Sequence, residues 1–335
     1  MNLKFMYLVL ILLTGFQILN SIGIIPLAGI ASSIASPFIY NYYKDSLCYI
    51  GECCKEAIYF NETLLKSNVF ESVYGQDFAI KRTLSYIKAH LTNPNPLKPL
   101  VLSFHGSTGV GKTFLATRIV NSIYKYGQKS KYVYFFDGSR QFIHSSKIDE
   151  YKEFLIAKLF SAGRSCERSF FIFDEVHKIP SKILDVLTPF LGYNDEIDGV
   201  DFRKNIFIFL SNTGGKLIND HFYKSYLEGI KRENINYKAL SKLILSKAFS
   251  TDGGFKMSEM INQHFISDVI PFLPLDVGHV EKCISNVAHS RGVSLNNELI
   301  ESLKGELIWF PDESQLFSVA GCKLISDKIN LYFEN

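Results

Sequence analysis

The feature that most constrains the fold of this chain is a glycine-rich segment that follows a short apolar run, Leu100 to Phe104. The segment reads Gly106-Ser107-Thr108-Gly109-Val110-Gly111-Lys112-Thr113 and matches the pattern G-x-x-x-x-G-K-[ST] in full. An amphipathic stretch, Lys112 to Tyr126, comes next, so the predicted order is strand, loop and helix. In that order the glycines let backbone N–H groups turn toward phosphates at the positive end of a helix. This context favours a phosphate-binding P-loop over an ordinary glycine-rich turn.

The residue types in this loop predict how it would bind ATP and Mg²⁺. Lys112 is expected to reach the β- and γ-phosphates, and we count it among the predicted catalytic residues. The Thr113 hydroxyl is expected to ligate magnesium. The residues predicted to bind ATP are Gly106, Ser107, Thr108, Gly109, Val110, Gly111, Lys112, Thr113 and Phe114.

Strands and helices are predicted to alternate after the loop. The strand-like runs are Tyr132 to Phe136, Phe170 to Phe173 and Ile206 to Leu210, and the amphipathic stretches are Asp149 to Ala162 and Ser181 to Leu191. Near-continuous apolar strands separated by helices indicate a parallel sheet covered on both faces, which is a doubly wound α/β domain. One more strand-like run, Asp268 to Leu275, precedes a helical pattern that continues to the end of the chain.

The chain is predicted to begin with segments that precede the folded domain. Lys4 and the apolar run Phe5 to Leu13 are typical of a signal peptide, assigned to residues 1–20. A second apolar stretch, broken by prolines, predicts a membrane-associating segment over residues 21–44; the alternative is one long uncleaved signal anchor. The large α/β domain is then assigned to residues 45–274, with a helical lead-in from Cys48 to Asn93, and a small helical domain to residues 275–335.

Two carboxylates follow the apolar run Phe170 to Phe173, as hydrolysis of a bound nucleotide requires. Asp174 fits the Walker B role of holding magnesium, and Glu175 can polarise a water in line with the γ-phosphate. By itself an Asp-Glu pair after a strand would be read as a solvated helix start. With a full P-loop upstream, the catalytic interpretation is preferred.

A polar residue, Asn212, stands at the end of the next predicted strand. The carboxyl ends of neighbouring parallel strands face one crevice, so Asn212 is expected to help orient the water. An isolated asparagine at a strand end is more often a turn former or a helix cap.

Composition and charge exclude some classes of partner. The formal net charge of +3 is small, and no clustered basic face is evident, so nucleic acid is not a predicted partner. The sequence contains neither a guanine-type N-K-x-D motif nor a transporter-type L-S-G-G-Q motif.

The six cysteines are too scattered for a zinc site and, behind a signal peptide, could form disulfides. One sequon, Asn61-Glu62-Thr63, predicts a glycan at Asn61.

The chain resembles the torsins, a family of AAA+ ATPases related to the Clp and heat-shock disaggregases. Beyond the Walker A and B segments, the resembling stretches are Val73-Tyr74-Gly75-Gln76, Asp198-Gly199-Val200, Phe207-Ile208-Phe209-Leu210-Ser211-Asn212, Pro271-Phe272-Leu273-Pro274-Leu275 and Gly321-Cys322-Lys323. They extend over nearly all of the chain after the predicted signal peptide.

The resemblance implies a lumenal ATPase of the endoplasmic reticulum and nuclear envelope that works in a homo- or hetero-oligomer. It implies that Asn212 is sensor 1 and that Lys323 is the sensor-2 residue that contacts nucleotide. It also implies a redox-active disulfide between Cys283 and Cys322, although two inert thiols would be an ordinary alternative. In torsins the hydrophobic N-terminal segment associates peripherally with membrane.

Two features of the sequence bear on hydrolysis, and the first is a departure from the torsins. Torsins usually have Asn where this chain has Thr113, and a hydroxyl is the better magnesium ligand. No Arg occurs between Arg232 and Arg291, where AAA+ proteins usually supply a neighbouring site with an arginine finger. The resemblance implies a borrowed arginine from a membrane-anchored activator whose lumenal domain is related to lamina-associated polypeptides. The alternative is that Arg232 or Lys231 takes this role.

The leading hypothesis is an ATPase that remodels proteins or membranes in the lumen. The alternative is an ATP-dependent switch or scaffold with little intrinsic hydrolysis. A cytosolic, DNA-associated AAA+ protein is opposed by the signal sequence and by the charge distribution. Phe136-Asp137-Gly138 lies where a threading motor has its aromatic pore loop, but it matches that loop poorly.

Overall fold

The structure is a computed structural model that describes residues 52–58 and 60–333. The predicted signal peptide and the predicted membrane-associating segment, residues 1–44, lie outside the described residues. Among the helices that are described, none combines the length and the apolar character needed to cross a membrane.

A five-stranded sheet in the order β2-β3-β4-β1-β5 forms the centre of the fold, and all of its strand pairs are parallel. The strands are β1 Leu100–His105, β2 Val133–Asp137, β3 Phe170–Asp174, β4 Ile206–Ser211 and β5 Asp268–Pro271. The predicted doubly wound parallel sheet is therefore confirmed. Because β1 lies beside β4, and β4 beside β3, the carboxyl ends of these three strands meet at one edge of the sheet.

Helices connect the strands and extend to the end of the described chain. They are α1 Cys54–Ala57, α2 Glu62–Phe70, α3 Asp77–Thr92, α4 Lys112–Ile123, α5 Ile148–Ser165, α6 Thr188–Leu191, α7 Gly215–Leu227, α8 Tyr237–Ser250, α9 Glu259–Asn262, α10 Val277–Ser290, α11 Asn297–Gly305 and α12 Ile325–Phe333. Their ends follow local chemistry. Helix α3 stops before Asn93-Pro94, and α10 starts where the Asp276 carboxylate accepts a hydrogen bond from the His279 N–H.

Aromatic rings pack across the middle of the sheet. The ring of Phe173 stacks on Phe136 of β2 at 4.7 Å between centroids and on Phe209 of β4 at 5.0 Å. Phe171 and Phe207 repeat the arrangement one step along the strands at 4.7 Å. All five phenylalanines of β3 and β4 are fully buried, and their close packing supports the sheet edge that bears the polar residues.

The C-terminal helices enclose a separate apolar core. Helices α10, α11 and α12 bury the side chains of Leu275, Val280, Ile284, Ala288, Leu303, Leu307, Ile325 and Ile329. A short antiparallel pair, β6 Trp309–Phe310 with β7 Phe317–Ser318, lies within this helical region. The helical pattern did not predict this pair, because two-residue strands carry no measurable periodicity.

Two sequence predictions need correction in detail. The stretch Ser181 to Leu191 is not one helix: a 3-10 turn, Leu184–Leu187, leads into the short α6, where Pro189 lacks the N–H that a longer helix would need. The last strand is also shorter than Asp268 to Leu275, and it ends at Pro271. Helices α7 and α8 had not been assigned from the sequence.

Candidate nucleotide site

The P-loop lies between the end of β1 and the start of α4. Gly109 and Gly111 have positive φ values of 77° and 101°, which a glycine adopts without strain. The Lys112 Nζ donates to Gly106 O, to Ser107 O and to Asn212 Oδ1, each at 2.8 Å. Lys112 is only 7% exposed, and this burial lowers the pKa of its ammonium to about 8. The loop therefore holds one buried cation at its centre.

Thr113 and Asp174 place two hard oxygen ligands side by side. The Thr113 hydroxyl donates to Asp174 Oδ2 at 2.9 Å, and the other carboxylate oxygen of Asp174 accepts from the Glu175 N–H at 2.8 Å. Burial raises the pKa of Asp174. Hydroxyl and carboxylate oxygens are ligands that Mg²⁺ prefers, and it commonly completes its shell with phosphates and waters. The pair therefore fits the predicted metal role.

Glu175 adopts an unusual backbone conformation at the end of β3. Its φ of 53° and ψ of 40° lie in the left-handed region, which is rare for a residue with a side chain. Such positions cost about 1–3 kcal/mol and cluster at functional sites. Its Oε2 lies 2.9 Å from Lys178 Nζ and 3.3 Å from His177 Nε2. Glu175 thus follows Asp174 in the sequence, but its carboxylate lies beside His177 and Lys178 of the next turn.

Asn212 meets the P-loop across the sheet edge. It follows Ser211, which pairs with His105 at the end of β1. Its Oδ1 accepts the bond from Lys112 Nζ, so the loop lysine and the predicted sensor-1 side chain touch directly. The parallel register accounts for this contact, because it brings two strand ends that are distant in sequence to one place.

The small helical region contacts the same loop from the other side. The Cys322 N–H donates to Gly109 O at 3.1 Å, and Cys322 forms a disulfide with Cys283 of α10, with a Cα–Cα distance of 6.1 Å. A Cβ on Gly109 would lie 1.7 Å from Ala320 O, and one on Gly321 would lie 2.3 Å from Gly109 O. Only glycines allow this approach of the two backbones.

An open cavity of about 420 Å³ joins these elements. Lys323 is exposed and lines it, as does Phe114, which is 40% exposed. Further lining residues that were not predicted as site residues are Ser72, Val73, Tyr74, Leu275, Asn286 and Val287. For Val73 and Tyr74 the only sequence signal is the torsin resemblance. Asn286 lies on a helix and belongs to no motif. The cavity has polar groups at the P-loop and apolar side chains beyond it, which suits a nucleotide.

Comparison with known proteins agrees with this arrangement. A family model described as Torsin matches residues 48–173, and one described as Torsin-1A, C-terminal domain, matches residues 275–332. A torsin-like protein of Caenorhabditis elegans is 38% identical over 293 residues, which cover 86% of this chain and 82% of that relative. The chain belongs to the torsin family.

A torsin-like protein of Drosophila melanogaster is 35% identical over 295 residues, which cover 86% of this torsin and 87% of the relative. The structure of an S. cerevisiae Hsp104-ADP complex matches with a TM-score of 0.56 and 19% identity. That match covers 81% of this chain and 46% of the Hsp104 chain, so the torsin spans under half of its length. At this identity the likeness establishes the AAA+ fold alone.

Arg232 of this torsin is engaged by its own chain. Its Nη1 donates to Gly75 O at 2.9 Å, its Nη2 donates to Pro274 O at 2.6 Å, and its guanidinium lies 4.6 Å from the ring centre of Phe222. Burial lowers its pKa. Gln76 makes a similar link, since its Nε2 donates to Leu273 O at 2.8 Å. Arg232 and Gln76 thus connect the helical lead-in before β1 with the segment that precedes α10. No local sequence pattern indicates these connections.

Two histidines at the site escaped the sequence analysis. His105 is fully buried at the end of β1, where its Nδ1 donates to Thr213 O at 2.9 Å and its Nε2 accepts from the Ser103 hydroxyl at 2.8 Å. Burial lowers the pKa of His105 to about 4, so its ring is neutral. His177 lies beside Glu175 and Asn212. A single histidine in a sequence carries no signal of such a position.

The predicted glycosylation residue, Asn61, precedes α2. Its side-chain oxygen accepts a hydrogen bond from the Leu64 N–H at 3.0 Å and so caps that helix. The hydrogen bond involves the amide oxygen of Asn61, whereas a glycan would be attached to its amide nitrogen.

Proposed function

We propose that this torsin hydrolyses ATP to remodel proteins or membranes in the lumen of the endoplasmic reticulum and nuclear envelope. The supporting observation is that the ends of three strands converge at the P-loop. Lys112 Nζ donates hydrogen bonds to P-loop carbonyls and to Asn212, and the Thr113 hydroxyl donates to Asp174. A P-loop that only bound phosphate would not require these additional contacts.

In the proposed reaction each residue has a distinct role. Lys112 exchanges its carbonyl contacts for β- and γ-phosphate oxygens, and Asn212 orients the attacking water. Thr113 and Asp174 would hold Mg²⁺, which when bound neutralises charge on the phosphates. Glu175 polarises the water, and Lys323 contacts the nucleotide from the small helical region.

We propose further that the site is completed by a partner. The sequence has no Arg between Arg232 and Arg291, and Arg232 itself is bonded to Gly75 O and Pro274 O. Its guanidinium would have to break both bonds to reach a neighbouring subunit. A lumenal domain of a membrane-anchored activator related to lamina-associated polypeptides would then supply the arginine, in a homo- or hetero-oligomer with this torsin.

Steady-state ATP turnover tests this proposal. The purified protein should be slow alone and should accelerate about a thousandfold or more when the activator's lumenal domain is added, the typical effect of an arginine finger. An activator domain whose arginine is replaced by Ala is the matched control and should not accelerate turnover. Fast turnover by the lone protein that is lost in Arg232→Ala would contradict the borrowed arginine.

The proposed localisation in the lumen can be tested separately. We propose that Asn61 carries a glycan and that residues 21–44, which lie outside the described residues, hold the protein at the membrane. Endoglycosidase treatment of the cellular protein should increase its gel mobility, and the Asn61→Gln variant should not respond. Mobility that treatment leaves unchanged in both proteins would remove this support.

A switch or scaffold with little hydrolysis is the second candidate, favoured by the missing arginine. It differs in one outcome: ATP would change partner binding while turnover stayed slow with every activator domain. Remodelling by threading has no support at the pore-loop position, because Phe136 is only 3% exposed and stacks on Phe173.

A further inference from the structure

The turn after β3 places a histidine between two residues of the proposed catalytic set. His177 lies in the 3-10 turn Val176–Lys178, and its side chain is 23% exposed. The Asn212 backbone N–H donates to His177 Nδ1 at 3.3 Å, and His177 Nε2 lies 3.3 Å from Glu175 Oε2. One imidazole therefore bridges the carboxylate that follows β3 and the amide residue that follows β4.

The partners of the ring determine where its proton resides. A backbone N–H can only donate, so Nδ1 accepts, and the neutral ring must carry its proton on Nε2. Burial lowers the pKa of His177, which favours the neutral ring. Nε2, which lies 3.3 Å from Glu175 Oε2 and 3.5 Å from the Asn212 amide nitrogen, then presents a neutral N–H beside the carboxylate, whereas Lys178 presents a charged group.

The turn holds the imidazole more firmly than it holds the neighbouring lysine. Val176 is fully buried, and the Gly254 N–H donates to Val176 O at 3.0 Å. A Cβ on Gly253 would lie 2.8 Å from His177 O, so a second segment packs closely against the turn. The Lys178 side chain, by contrast, is 52% exposed. Of the two neighbours of the carboxylate, His177 is the better fixed.

We propose that His177 is a positioning residue for ATP hydrolysis that keeps the Glu175 carboxylate in register with Asn212. Because Asn212 Oδ1 also accepts from Lys112 Nζ, these contacts form a path from Lys112 through Asn212 and His177 to Glu175. The path lets the contact at the γ-phosphate determine where the water-polarising carboxylate stands. This inference rests on the proposed ATPase function.

Variants at His177 separate the two halves of the bridge. Gln places an amide N–H as many bonds from Cα as Nε2, whereas Asn places an amide oxygen as many bonds away as Nδ1. His177→Ala should lower kcat about tenfold or more, since misplacing a catalytic group by about 1 Å can cost about a hundredfold. The dissociation constant for ATP should change less than about threefold, because no phosphate contact is removed. His177→Gln should recover more of kcat than His177→Asn, because it keeps an N–H beside Glu175.

A double variant and a remote control make the test decisive. In a Glu175→Gln background, His177→Ala should add less than about a twofold loss, since His177 acts through that carboxylate. His144→Ala, at an exposed histidine outside the site, should leave kcat unchanged. Thermal unfolding checks that each variant folds, and His177→Gln replaces His177→Ala if the latter does not.

Several results would overturn the inference. They are an unchanged kcat in His177→Ala, a loss confined to ATP affinity, a better rescue by Asn than by Gln, or a full additional loss in the Glu175→Gln background. The wild-type rate, alone and with the activator's lumenal domain, is measured alongside. If it is absent under both conditions, the ATPase proposal itself fails; if it is present, the variants judge His177 alone.

Discussion

The two ends of the cavity are built in different ways. At the phosphate end, which comprises the P-loop, Asp174, Glu175 and Asn212, polar atoms contact one another at 2.8–2.9 Å around the buried Lys112. At the small-domain end, which comprises Leu275, Cys283, Asn286, Cys322 and Lys323, the lysine that lines the cavity is exposed. Backbone contact between Gly109 and Gly321 joins this end to the P-loop, and the Cys283–Cys322 disulfide lies within the small-domain end itself.

The difference shows which end can change without loss of the fold. The phosphate end follows directly on strands whose stacked, buried phenylalanine rings hold the sheet together. The small-domain end contains an internal disulfide, Cys283–Cys322, that reduction can break. We expect changes at the phosphate end to alter hydrolysis strongly and changes at the small-domain end to alter affinity modestly.

The largest effect is expected for Glu175→Gln. Gln keeps the shape of the side chain but cannot polarise the attacking water, so turnover should fall about a hundredfold or more. ATP binding should survive, because Lys112, Thr113 and Asp174 remain. Turnover and equilibrium binding of a fluorescent ATP analogue measure the two quantities. Glu196→Gln, at an exposed carboxylate outside the site, is the control, and a wild-type rate in Glu175→Gln would refute the Walker B assignment.

The next largest effect is expected in the pH dependence of the affinity for ATP at the phosphate end. Burial lowers the pKa of Lys112 to about 8 in the ligand-free protein, so the ammonium loses its proton as pH rises through that value. Phosphates bind the ammonium form, and affinity for ATP should therefore fall up to about tenfold per pH unit above about 8. Titration calorimetry between pH 7 and pH 10 (values chosen about the pKa) measures this slope.

The control for that titration is Lys112→Met, which cannot ionise. It should bind ATP weakly at every pH and show no such slope. A slope of equal size in Lys112→Met would show that another group titrates.

A smaller effect is expected at the small-domain end. Replacing Cys283 and Cys322 by Ser removes a cross-link with a sequence separation of 39, which should lower the free energy of unfolding by up to about 4 kcal/mol. Because Cys322 precedes Lys323 and donates to Gly109 O, affinity for ATP should change about three- to tenfold, while the hydrolysis rate of bound ATP changes little.

Reduction of the wild-type protein should reproduce this change in affinity, and reduction of the Cys→Ser double variant should have no effect. Single-turnover kinetics separate hydrolysis from binding. If hydrolysis fell as steeply as in Glu175→Gln, the distinction between the two ends would be wrong.

Much of the phosphate end could be predicted because its determinants are local. A glycine-rich loop between a strand and a helix, and Asp-Glu after a buried strand, define their own conformations within a few residues. Parallel strand ends then converge on one edge whatever the intervening loops do. Asn212 was predicted by this rule, and the structure places its side chain on Lys112.

The rest depends on contacts between residues that are far apart in the chain. Nothing near Arg232 in the sequence indicates that its guanidinium donates to Gly75 O and Pro274 O. His177 belongs to the same class, since only the close approach of β3 and β4 brings Asn212 to its ring.

The sequence by itself determined the chemistry of the phosphate end and the class of the fold, because periodicity, glycine position and motif spacing act over short stretches of chain. Tertiary structure decided the other end of the cavity, the neutral histidine bridge and the internal role of Arg232. These depend on where packing brings distant backbone atoms, and close packing specifies positions to within an ångström or so that no local pattern encodes.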